Sequence, residues 1–124
     1  MALLQRRLKG SVDRRRALAG IPGLRPGVEF LPALDGGVLR TVLRRSGGFF
    51  GRFAPPESER RYELDAFGAF VVRQMQQGSS VLEIVRAFHQ EFGMSPRECE
   101  LSVVAFVHTL INRNLVSVQE DTPR

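Results

Sequence analysis

Residues 79–114 read SSVLEIVRAFHQEFGMSPRECELSVVAFVHTLINRN, and this stretch decides the fold. It holds two helix starts of one kind. Ser80-Val81-Leu82-Glu83 is a capping box, in which serine and glutamate each satisfy an orphan backbone N–H. Ser95-Pro96-Arg97-Glu98 is a second, with proline at the first helical position, where its missing N–H costs nothing. Between them Val81, Ile84, Val85, Phe88 and Phe92 share one helical face, and Gly93 stops the helix. The last helix runs from about Pro96 to Arg113, and Asn114 can end it. A helix on the surface of a small domain needs one apolar stripe. This one offers two. Leu101, Val104, Ala105 and Ile111 fall along one line, and Val103, Phe106, Val107 and Leu110 along the next. One stripe can enter the core of the domain. The other needs a cover, either more of this chain or a partner.

Upstream, Asp65 is a good N-cap for a first helix with apolar positions Phe67, Phe70, Val71 and Met75, closed by Gly78. Arg60–Leu64 reads as a short strand leading into it, with Tyr62 and Leu64 on one face and Arg61 and Glu63 on the other. Two more strands, Val28–Leu34 and Val38–Leu43, flank Asp35-Gly36-Gly37, which permits the positive φ angles of a tight hairpin. Ser46–Pro56 is a glycine-rich loop carrying Phe49, Phe50 and Phe53. Three phenylalanines rarely all stay in water, so they are expected to fold back onto the sheet or to form a patch for a partner. Leu115–Val118 is a short final extended piece. The expected class is α+β: a small three-stranded antiparallel sheet followed by a three-helix, winged-helix-like bundle over residues 28–118. Residues 1–27 form a basic arm in which Gly20, Pro22, Gly23, Pro26 and Gly27 break regular structure, and residues 119–124 a tail.

The 124 residues suit one domain of a size that can bury a core without metal or disulfides. Cys99 is the only cysteine, and no Cys/His cluster has zinc spacing. No apolar run is long enough to span a bilayer, and the N-terminus lacks the continuous apolar segment of a signal peptide, so a cytoplasmic setting is expected. The charge is uneven: residues 1–61 carry +8 and residues 62–124 carry −3. No catalytic constellation stands out. His89 and His108 lie on different helices, and Cys99 has no assignable basic neighbour to activate it. Gly47-Gly48 followed by Gly51 precedes no helix and fits no nucleotide fingerprint. No enzyme activity, cofactor or metal is expected. A winged-helix nucleic-acid binder using the basic arm is the alternative reading. Against it, a recognition helix offers donors and cations in its first turn, and here Arg97 stands beside Glu98 and Glu100.

Tyr62–Val71, YELDAFGAFV, resembles the strand-to-helix signature of PqqD-like proteins, in which leucine, asparagine or aspartate and a glycine three residues further on enter the first helix. Ser79–Val85 is similar to the second helix of that family, and Phe92–Glu100 to its turn between helices two and three. Phe106–Val116, ending Asn114-Leu115-Val116, resembles its finish. The resemblance covers roughly residues 28–118. It implies a small peptide chaperone, or precursor-peptide recognition element. Such a domain holds the leader of a ribosomally made peptide and presents it to a modifying enzyme, often a radical S-adenosylmethionine enzyme. It also implies that the leader adds as a strand to the third strand of the sheet, in a groove beside the third helix. On this chain the strand is Arg60, Arg61, Tyr62, Glu63 and Leu64, the helix stripe Val103, Phe106, Val107 and Leu110, with Arg113 at its end. An unpaired strand edge can accept an extended peptide, and arginines can pair with acidic leader residues. A homodimer covering the surplus stripe is the structural alternative.

Overall fold

The structure is a computed structural model that describes residues 14–44 and 57–120. After a helical stretch at residues 14–19 come β1 (Ile21–Leu24), β2 (Val28–Ala33), β3 (Gly36–Arg44), β4 (Glu57–Leu64), α1 (Ala66–Gln76), α2 (Val81–Phe92), α3 (Pro96–Asn112) and β5 (Val116–Gln119). The expected α+β class is the observed one: β2, β3 and β4 form an antiparallel sheet in that order, followed by three helices. The aromatic loop Ser46–Pro56 lies outside the described residues, as does the arm up to residue 13.

The helices start where the capping chemistry places them. Asp65 accepts from the Gly68 N–H at 2.8 Å and opens α1. At α2 both halves of the capping box form: Ser80 N–H donates to Glu83 at 2.9 Å, and Glu83 N–H donates to Ser80 Oγ at 3.2 Å. Donation to the carboxylate, from the Ser80 backbone N–H first and from the Ser80 side chain second, holds the Glu83 pKa below its ordinary value. At α3 only the serine half is present, with Glu98 N–H donating to Ser95 Oγ at 3.2 Å. Gly93 ends α2 at φ 71°, and Asn114 follows α3 at φ 60°. Leu115 N–H then returns to the Leu110 carbonyl at 3.0 Å, which turns the chain into β5.

The hairpin turns through Leu34 and Asp35, since Ala33 pairs with Gly36. Gly36 is required there, because a Cβ would stand 2.1 Å from the Leu64 carbonyl oxygen. Leu39 at the centre of β3 is fully buried against the helices. The opposite face of the sheet is charged: Arg40 pairs with Glu29 at 2.8 Å and Arg61 with Glu59 at 2.9 Å. These two glutamates offset the like charges of Arg40 and Arg61, which are cross-strand partners.

Two sequence expectations are corrected. The first concerns residues 14–24, which carry regular structure despite their glycines and prolines. β1 pairs antiparallel with β5, with Pro22 opposite Val118, and Pro22 is fully buried. Proline is tolerated in a two-stranded ribbon because each strand keeps an outer edge on which no N–H is needed. Gly20 is small enough to pass Val118, and its carbonyl accepts from Val81 N–H at 2.9 Å, fastening the segment to the start of α2. Arg14 clasps Glu100 of α3 through Nε and Nη2, at 3.1 and 2.7 Å, and this raises its pKa.

The second correction concerns α3. The stripe Val103, Val107 and Leu110 was expected to be available to a peptide. It is the core stripe, together with Cys99, and all four residues are buried. Leu101 is 58% exposed on the other line. Burial pushes the Cys99 thiol pKa up, so it is a packed apolar residue rather than an activated nucleophile.

Candidate functional site

β4 is the last strand of its sheet, so one row of its N–H and C=O groups has no strand partner among the described residues. Side chains alternate along it. Leu64 is buried and Tyr62, which pairs with the buried Leu39, is half-buried, so Arg60, Tyr62 and Leu64 share the face toward the helices. Arg61 and Glu63 take the other face.

A groove runs between this edge and α3, in two basins that meet at Tyr62. The first, about 360 Å³, is lined by Arg60, Arg61, Tyr62, Asn112, Arg113, Asn114 and Leu115. The second, about 470 Å³, is lined by Tyr62, Glu63, Leu64, Asp65 and Phe106. The Arg113 guanidinium lies 5.0 Å from the centre of the Tyr62 ring, a cation–π contact that holds both side chains at the junction. Phe106 comes close to α1 because residue 68 is glycine. A Cβ there would stand 3.0 Å from Phe106 Cζ and 3.2 Å from Leu64 Cδ2.

The structure therefore brings together seven of the residues singled out from sequence: Arg60, Arg61, Tyr62, Glu63, Leu64, Phe106 and Arg113. Val103, Val107 and Leu110 are separated from them by burial in the core. Asn112, Asn114, Leu115 and Asp65 line the groove and were missed. They sit at element ends, where Asp65 caps α1, Asn114 takes a positive φ and Leu115 is a core residue, so nothing in their local pattern marks a site. The groove offers backbone hydrogen bonds, cations at one end and an apolar wall at the other, which suits recognition of an extended chain. Among the described residues no cluster of His, Cys, Asp and Glu is placed to hold a metal, and no helix is long and apolar enough to cross a membrane.

Fold and site together define a small α+β module with a strand edge, unpaired among the described residues, over a groove. Comparison with known proteins places it more closely. The family model of coenzyme PQQ synthesis protein D (PqqD) matches residues 54–116, just over half the chain, and the chain belongs to that family. The matched region runs from just before β4 to the start of β5, and so contains the whole groove. A similar fold is seen in a solved structure described as TbiB1 in complex with the TbiA(beta) leader peptide. The TM-score is 0.59 and the identity 20%, over 77% of this chain and 94% of that one. No curated protein sequence matches the chain.

Proposed function

We propose that this protein is a leader-peptide-binding module without catalytic activity of its own. It holds the leader of a ribosomally made precursor and presents it to a modifying enzyme, of the radical S-adenosylmethionine class or another. The observation that carries this reading is the edge of β4, unpaired among the described residues, beside a groove lined by Tyr62, Phe106 and Arg113. Family membership supports it, as does the leader peptide bound to the similarly folded TbiB1. In this reading the leader adds as a strand to β4, and its alternate side chains enter the two basins.

The energetics are compatible with a transient complex. Each backbone bond contributes about 0.5–1.5 kcal/mol net. One or two apolar leader side chains buried against Tyr62 and Phe106 add about 1.5–3 kcal/mol each. Ordering a disordered leader costs several kcal/mol in return. The balance is a micromolar complex, about −8 kcal/mol. The nucleic-acid alternative is less well supported, because Arg14 of the basic arm is engaged by Glu100 rather than presented with the first turn of α3. A homodimer is compatible with peptide binding, since the exposed Leu101 lies on a flank of α3 away from β4.

The test is a titration of isotope-labelled protein with the leader encoded beside it, followed by amide shifts. Shifts clustered on Arg60–Leu64 and on Phe106–Asn114 are expected. A leader that saturates the protein while leaving those amides unmoved, or duplex DNA that moves residues 14–19 and α3 instead, would sink the proposal.

A further inference from the structure

Resting on the leader-binding reading, we infer that the groove selects its peptide by two side chains on one face of the added strand: an acidic residue at the Arg60–Arg113 basin and an apolar residue four positions away at the Leu64–Phe106 basin. The two basins differ in charge. The first is lined by three arginines and no carboxylate, the second by Glu63 and Asp65 and no cation. A carboxylate is thus attracted at the Arg60–Arg113 end and finds no cation at the other, where Glu63, like Arg61, points to the other face and Asp65 caps α1, and this sets the direction of the peptide as well as its composition.

Spacing follows from the pleat. Arg60, Tyr62 and Leu64 share a face, and a strand laid beside β4 alternates in step with it. Its residues i, i+2 and i+4 face the groove, and the outer two lie about 13 Å apart. Arg60 and Leu64 are the same four positions apart on β4. The middle residue meets the Tyr62–Arg113 pair, so it must be small or flat. Arg61 contributes less than its neighbours, because it points to the other face and pairs with Glu59 at 2.9 Å. Arg60 and Arg113 pair with no carboxylate among the described residues. Arg113 is also held in place by Tyr62 and loses less freedom on binding a carboxylate than a solvated arginine would.

The test uses the full chain and short fluorescent peptides on a serine–threonine host. One set carries Glu and Leu four apart in both orders. Matched peptides carry Gln for Glu, or place the pair three apart. One order of the four-apart Glu peptide is expected to bind about tenfold tighter than its Gln and three-apart counterparts, with the advantage shrinking in high salt. Arg113→Gln and Arg60→Gln should each remove most of that advantage, and Arg113→Glu should transfer it to a Lys peptide. Both positions are exposed, and circular dichroism of each variant checks the fold. Equal affinity for the Glu and Gln peptides, indifference to spacing, or no binding by any of them overturns the selectivity. Amide shifts of β4 with the encoded leader would still uphold strand addition in that event. A peptide that binds without moving β4 overturns strand addition and the selectivity with it.

Discussion

Replacing Gly68 by alanine asks whether a missing side chain in α1 shapes the groove. Alanine is favoured over glycine in a helix by about 0.8–1.0 kcal/mol, so the change should stabilise an isolated helix. In the folded protein the new methyl would stand 3.0 and 3.3 Å from the tip of the Phe106 ring and 3.2 Å from Leu64 Cδ2. Overpacking of that kind costs about 1–3 kcal/mol. The net effect in the natural background is therefore between neutral and a loss of about 2 kcal/mol. Phe106→Ala removes two of the three contacts. In that background Gly68→Ala should recover most of the helix gain, about 0.5 kcal/mol or more. Urea unfolding of the four proteins closes a double-mutant cycle with an expected coupling of about 1–2 kcal/mol. Should Gly68→Ala have the same effect in both backgrounds, within about 0.3 kcal/mol, the ring does not need the glycine and the reasoning fails.

The two stripes of α3 can be told apart by stability. Leu110→Ala, in the core, should cost about 2–5 kcal/mol, whereas Leu101→Ala, on the exposed flank, should stay within about 0.5 kcal/mol in urea unfolding. Glu83 should add a pH dependence. Its depressed carboxyl contributes stability that is present above its unfolded pKa and is lost as pH falls through the lower folded value. Glu83→Gln keeps an acceptor for Ser80 N–H without titrating, so thermal unfolding should show the two proteins converging on acidification. A constant gap would refute it.

Much of the architecture was legible because it is written locally. Asp65, Ser80 and Ser95 announce helix starts through caps that need only a few neighbouring residues. The hairpin signal and the alternation in Arg60–Leu64 are equally local, although the turn itself is Leu34-Asp35 rather than Asp35-Gly36-Gly37, and Gly36 and Gly37 open β3. Part of the site was readable for the same reason. The placing of the Tyr62 strand beside the helix of Phe106 and Arg113 comes from the resemblance to PqqD-like proteins, which rests on the same local signatures.

The remainder depended on which distant surfaces meet. β1 reads as a broken segment, and becomes a strand because β5 supplies its hydrogen bonds and Gly20 fits beneath Val118. The two apolar lines of α3 carry similar side chains, so periodicity cannot say which turns inward. Cys99, a residue type among the most often buried, extends the inner line by one turn and was the available hint. Helix starts, the three-stranded sheet and the residues of β4 can be read from the chain alone, because caps, turns and alternation act over a few residues. Which face of α3 is core, and which residues close the groove, emerges only when the elements pack together. Those choices depend on packing between elements far apart in the chain, where the free energy belongs to the contact and not to either segment alone.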